Sequence, residues 1–185
     1  MEKTPLKLFK KKHLIEGKAS QQIPASPLMK KLGYGTGIAV YLLPRSKNTF
    51  CNKTSSPWAI KKCLNMKNKD TKVYAKRLAV EADLLRTLTH PNIIGFRAFE
   101  ESLDGRFNLC MEAMTTSLGD LLEKRYDVKG GPLKIRKIHQ VGFDICKALN
   151  YLHNEALLIH GDIKSFNILV KGDFAVCKLC DFGVS

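Results

Sequence analysis

From Met29 onward the chain is built of short apolar runs separated by turn-forming stretches, and the period of each run indicates its element. Gly37–Leu43, Pro57–Lys61, Gly95–Phe99 and Phe107–Met111 are short enough to be strands, and Asp104-Gly105 between the last two is a hairpin signal. One helical segment interrupts them, Tyr74 to Thr89, with Tyr74, Leu78, Leu85 and Leu88 on one face. From Leu118 the pattern turns helical, and Ile138, Val141, Ile145, Leu149 and Leu152 recur at helix spacing. Short strands are then expected at Leu157–Ile159, Ile168–Val170 and Val176–Cys180, with Lys171-Gly172-Asp173 as the turn between the last two. The pattern predicts an α+β chain, a small strand-rich part followed by a mainly helical one. No internal repeat interrupts that outline.

Residues 1–27 differ in texture. They are polar and basic, include Lys10-Lys11-Lys12, and lack sustained periodicity, which predicts a flexible tail. Thr4-Pro5 and Ser26-Pro27 have the form that proline-directed kinases accept, and the lysine run reads as part of a solvated tail rather than as a nuclear import signal. No apolar run is long enough to span a bilayer, and Met1-Glu2-Lys3-Thr4-Pro5 has no signal-peptide core, so a cytoplasmic or nuclear protein without a membrane partner is expected.

Charge and cysteines narrow the picture further. The formal net charge of +14 raises the question of nucleic acid, but no basic stripe interleaved with aromatics is present, so that partner is not expected. Six cysteines without an exporting context read as reduced thiols, and Cys177-x-x-Cys180 lacks a second pair at metal-ligand spacing.

Three segments carry chemistry. In Leu32-Gly33-Tyr34-Gly35-Thr36-Gly37, closely spaced glycines let a turn bring backbone N–H groups against phosphate oxygens. A strand, not a helix, follows, which argues against a dinucleotide-binding βαβ unit. Trp58-Ala59-Ile60-Lys61 is a strand ending in a lysine, which is either solvent-facing or directed into a cleft. Glu81 favours the second reading. It falls within the apolar stripe of the 74–89 helix, where a carboxylate is costly unless paired, and Lys61 is its natural partner. Finally, His160-Gly161-Asp162-Ile163-Lys164-Ser165-Phe166-Asn167 packs a base, a cation and a metal-binding amide into one loop. Asp181-Phe182-Gly183 follows a strand further on, and hard oxygen ligands from Asn167 and Asp181 would suit Mg²⁺.

In this order and spacing the segments resemble the protein kinases, and more narrowly the group related to the MAP-kinase kinases. The resemblance implies a protein-kinase-like fold: a complete small β-rich N-lobe of five strands and one helix over 28–113, then the first part of a helical C-lobe over 114–185. It implies that Gly33, Gly35 and Gly37 cover the phosphates of ATP. Lys61, held by Glu81, contacts the α- and β-phosphates, while Val40, Ala59, Met111, Glu112 and Met114 line the nucleotide site. Met111 takes the gatekeeper position before a hinge, Glu112-Ala113-Met114, that binds adenine through its backbone. Asp162 accepts the substrate hydroxyl's proton, Lys164 sits near the γ-phosphate, and Asn167 and Asp181 hold Mg²⁺. Lys164, two residues after Asp162, follows the serine/threonine pattern, with dual specificity left open. Protein substrates, MAP kinases among them, are implied as partners. Gly161 stands where the family commonly has an arginine that pairs with a phosphorylated activation loop, so that switch is not expected. Cys180 reads either as a thiol facing the nucleotide or as a buried strand cysteine. The sequence ends on Gly183-Val184-Ser185 without an apolar terminal residue, so a PDZ-domain partner is not expected. A second reading is a catalytically inactive kinase fragment acting as a binding or decoy module.

Overall fold

The computed structural model describes residues 30–35, 38–44, 56–63, 69–102 and 105–183. The expected tail over 1–27, Gly37, Asp104 and the last two residues lie outside the described residues.

Five strands form an antiparallel sheet in the order β1-β2-β3-β5-β4: β1 (Lys30–Gly35), β2 (Ile38–Leu43), β3 (Trp58–Cys63), β4 (Phe96–Glu101) and β5 (Phe107–Glu112). Each strand lies within two or three residues of an apolar run in the sequence, apart from β1, which is made of the first part of the glycine-rich segment. The β4–β5 connection turns at Gly105, whose φ of 74° is free of cost only for glycine.

Helix α1 (Lys69–Thr87) packs on one face of this sheet. Its stripe is the expected one: Leu78, Ala82 and Leu85 are buried, with Leu88 just beyond its end. These side chains meet Cys63, Leu109 and Met111 from the sheet in the main hydrophobic core. The segment after α1 leaves the small sheet and joins the second half of the chain. Ile94 N–H donates to the carbonyl of Leu179 at 2.9 Å, and Leu179 N–H donates to that of Asn92 at 2.8 Å.

The second half holds a three-stranded sheet, β6 (Thr116–Ser117), β7 (Ile168–Lys171) and β8 (Val176–Leu179), with helices α2 (Leu118–Asp127) and α3 (Ile135–Asn154). Ser117 caps α2: its hydroxyl oxygen accepts from Asp120 N–H at 2.9 Å, satisfying one of the free amides of the first turn. On α3, Ile145, Ala148 and Leu152 are buried, and the helix packs on β8. The buried carboxylate of Asp144 accepts the Cys177 N–H at 2.8 Å, joining the two elements.

Two expectations are corrected. Leu157–Ile159 is not a strand. It is a loop in which Leu157 has φ 54° and both residues are more than three-quarters exposed, so its apolar run meets no neighbouring strand. Ile138, placed on the buried stripe of α3 by its spacing, is half exposed, because the face covered by β8 begins further along the helix.

Candidate functional site

Strand alternation gathers the first set of site residues. Val40 lies opposite Lys61, and Ala59 opposite Met111, while Ala59 and Lys61 are two apart on β3. With a period of two, all four project from one face of the sheet, the same face that α1 covers further along. Gly33 pairs with Val40, so the described part of the glycine segment lies beside Val40 in the same sheet. Met111 and Ala59 are buried, and Met114 is half-buried in the connection after β5.

Lys61 is held by two carboxylates. Its ammonium donates to Glu81 Oε1 at 3.0 Å and Oε2 at 2.8 Å, and to Asp181 Oδ1 at 2.9 Å. Burial disfavours the ammonium, yet Glu81 and Asp181 together outweigh it and hold Lys61 above its ordinary value. At Glu81 burial prevails over the attraction of Lys61, and the carboxyl sits above the usual carboxylate range. Glu81 is only 2% exposed, so the pair accounts for a charge on an apolar stripe.

The second set lies in the loop between α3 and β7. Lys164 Nζ donates to Asp162 Oδ2 at 2.6 Å, and the Asn167 amide donates to the same oxygen at 2.9 Å and to the Asp162 carbonyl at 2.8 Å. The hydrogen bond from Lys164 is the main cause of an Asp162 carboxyl below its ordinary value, with Asn167 adding to it. Because the Asn167 side-chain nitrogen is committed to Asp162, its side-chain oxygen Oδ1 is the atom left for a cation.

Backbone contacts tie the two sets together. Cys180 N–H donates to the Asn167 carbonyl at 2.9 Å, and the His160 ring lies 3.0 Å from the Cys180 carbonyl through Nε2. His160 Nδ1 also accepts from Asp162 N–H at 3.3 Å, so one imidazole braces both loops. Phe182 packs edge-on to His160 at 4.8 Å between ring centroids and is 1% exposed. Between them Asp181 has φ 67°, a left-handed turn that aspartate tolerates better than most residues. That turn directs Asp181 toward Lys61 while Phe182 enters the core. Gly161 also has a positive φ, 78°, where an arginine would be strained.

Cys180, one residue before Asp181, is pushed up to about 12 by burial and then by the Asp181 charge. By its surface exposure the residue is only partly buried, and the raised value makes its thiol a poor nucleophile. The Glu112 carboxylate accepts from Gly95 N–H at 2.9 Å and pairs with Lys178, and its own N–H donates to the Gly95 carbonyl, so neither its side chain nor its N–H is left for a ligand. The bracing role of His160 and the Lys178 contact were not read from the sequence. Lysine on a short strand is common, and its partner lies far away along the chain.

Residues 27–185 match the protein kinase domain family. The chain belongs to the protein kinase family. Among its curated relatives is the human lymphokine-activated killer T-cell-originated protein kinase, 47% identical over 99% of this chain and 57% of that protein. The MAP kinase kinase mkk-4 of Caenorhabditis elegans is 42% identical over 58% of this chain and 30% of its own length. The Drosophila melanogaster dual specificity mitogen-activated protein kinase kinase dSOR1 is 34% identical over 60% and 26%. The chain thus spans little more than half of the first relative's length and less of the others. No helix among the described residues is long and apolar enough to cross a membrane.

The family as a whole uses ATP and Mg²⁺. The donor set here fits a hard cation: Asp181 is two-fifths exposed at its side chain with one oxygen committed to Lys61, and Asn167 offers its side-chain oxygen Oδ1.

Proposed function

We propose that this chain carries the nucleotide-binding and phosphate-transfer centre of a protein serine/threonine kinase, with dual specificity open, of the group related to the MAP-kinase kinases. The observation that carries the reading is the pairing of two clusters, Lys61–Glu81–Asp181 and Asp162–Lys164–Asn167, braced through His160 and Cys180.

In this reading ATP lies under Gly33, Gly35 and Gly37 and against Val40, Ala59 and Met111. The hinge backbone at Glu112 and Met114 holds the adenine. Lys61 takes the α- and β-phosphates, and Glu81 keeps its ammonium directed at them. Asn167 and Asp181 hold Mg²⁺, which when bound neutralises charge on the phosphates. Asp162 is the proton acceptor for a substrate hydroxyl through Oδ1, because Oδ2 is taken by Lys164 and Asn167. Lys164 keeps that carboxylate ionised in the resting site, and in this reading it lies beside the transferred group. The partners are protein substrates, MAP kinases among them, in the cytoplasm or nucleus.

The exposed side chains of Ile135, Ile138, Phe143 and Ile159 favour a second reading for the 185 residues by themselves, as a binding or decoy module. One assay separates the two: Mg²⁺-ATP-dependent phosphorylation of a basic test protein, by this chain and by the whole gene product. The kinase reading expects transfer by the whole product, abolished by Asp162→Ala. Full transfer in that variant sinks the assignment of the base. Transfer by the whole product alone gives the 185-residue chain the second reading.

A further inference from the structure

The contacts around Glu112 form a second charged network, outside the two clusters of the candidate active site. Glu112 ends β5, and its carboxylate is gripped from both halves of the molecule. Oε1 accepts from Gly95 N–H at 2.9 Å and from the ammonium of Lys178 on β8, and Oε2 faces Arg97 on β4 at 3.7 Å. Glu112 N–H in turn donates to the Gly95 carbonyl at 2.9 Å, so residues 95 and 112 are joined twice. The corner is closely packed. A Cβ on Gly95 would lie 3.1 Å from the Arg97 guanidinium and 3.4 Å from the Glu112 carboxyl carbon.

Lys178 comes from a strand that is itself fixed. On either side of it, the Cys177 carbonyl accepts from Asn92 Nδ2 at 3.0 Å, and Leu179 exchanges backbone hydrogen bonds with Asn92 and Ile94. Cys177 and Leu179 point into the core, so strand alternation sends Lys178 to the other face, toward Glu112. The Lys178 and Glu112 side chains are 15% and 16% exposed, which excludes most of the water that would weaken the pair. Beyond Glu112 the connection is held again where Thr115 N–H donates to the Val170 carbonyl at 3.0 Å. The segment 113–114 is therefore a short span suspended between two anchors.

The geometry points to Lys178 as a positioning residue for the nucleotide: through Glu112 it fixes the backbone that receives the adenine. This deepens the kinase reading and rests on it. A largely desolvated ion pair adds little stability compared with an apolar pair of the same size, so what Lys178 gives Glu112 is chiefly direction. Lys178 contacts neither Lys61, Asp162, Asn167 nor Asp181 by hydrogen bond or ion pair, so its loss should act on nucleotide affinity and leave the transfer step alone.

The test uses the whole gene product and the variants Lys178→Met, Lys178→Arg, Glu112→Gln and the Lys178→Met/Glu112→Gln double variant. Hydrogen exchange of the 113–115 amides is measured without nucleotide, then the Kd for ADP and the KM and kcat for ATP. Lys178→Met is expected to speed exchange at 113–115 and to raise Kd and KM roughly fivefold with kcat nearly unchanged, as for contacting residues in one network. Lys178→Arg should keep the wild-type values, and the double variant should be no worse than either single one. Unchanged hinge exchange and Kd in a folded Lys178→Met protein overturns the inference, as does a fall in kcat with KM constant. If the wild-type protein binds no ADP, the kinase reading itself fails, while the exchange measurement still decides whether Lys178 anchors the hinge.

Discussion

At the scale of single residues the site turns on two oxygen-rich contacts of opposite kind. Glu81 is buried and needs its partner. Removing that partner in Lys61→Met leaves a carboxylate in the core, and the expected loss is about 3–5 kcal/mol of folding stability along with phosphoryl transfer. Lys61→Met/Glu81→Leu should regain most of the stability and none of the activity, as read by chemical denaturation beside the kinase assay. A double variant as unstable as the single one would mean that the pair is not what Glu81 requires. Asp162 is partly exposed, and its chemistry lies in its ionisation. Its folded pKa is depressed, chiefly by Lys164, so the carboxylate should persist below the ordinary aspartate value of about 3.9. By linkage, that interaction favours the folded state above the unfolded pKa and is lost as pH falls through the folded one. Carboxyl-carbon NMR of Asp162 should show its midpoint moving up in Lys164→Met. A midpoint that does not move would assign the depression to Asn167 alone.

At the scale of elements, what could be read in the sequence was what is local or periodic. The stripe of Leu78 and Leu85 on α1, with Leu88 just past its end, follows from spacing, and the odd carboxylate within it points to Glu81 and to Lys61 as its partner. The loop 160–167 declared itself by packing three chemically distinct side chains together. What failed was the inference from apolar character alone. Leu157–Ile159 reads as a strand, but no neighbour pairs with it, and Ile138 fits the helical period yet lies beyond the reach of β8. Apart from Lys61–Glu81, which an unpaired carboxylate on an apolar stripe demanded, contacts between distant segments had no such local signal: nothing in Lys178 points to Glu112, or in Asp144 to Cys177. The Asp144 contact lends itself to a test at this scale. Asp144→Ala leaves the Cys177 N–H buried without its acceptor and is expected to cost about 1–3 kcal/mol. Amide exchange at Cys177 should accelerate more than at its β7 partner Val170, whereas equal acceleration would indicate general loosening of the helix.

At the scale of the molecule, the two halves differ in how completely they are covered. The small sheet and α1 share a continuous core, and the segment 92–95 extends that core to β8. The second half leaves large apolar side chains exposed along α3 and in the loop after it: Ile135 is 80% exposed, Leu157 82% and Ile159 76%, with Ile138 and Phe143 near half. A monomer rarely leaves so many such groups in water unless another surface meets them. The 185 residues alone should therefore bind the dye ANS strongly and self-associate as concentration rises. Ile138→Lys and Ile159→Lys replace exposed side chains that touch neither cluster of the site, so they should lower dye fluorescence and shift sedimentation toward monomer without unfolding the sheet. If both variants sediment and fluoresce as the parent does, the association comes from another surface, and the binding-module reading loses the observation that favours it.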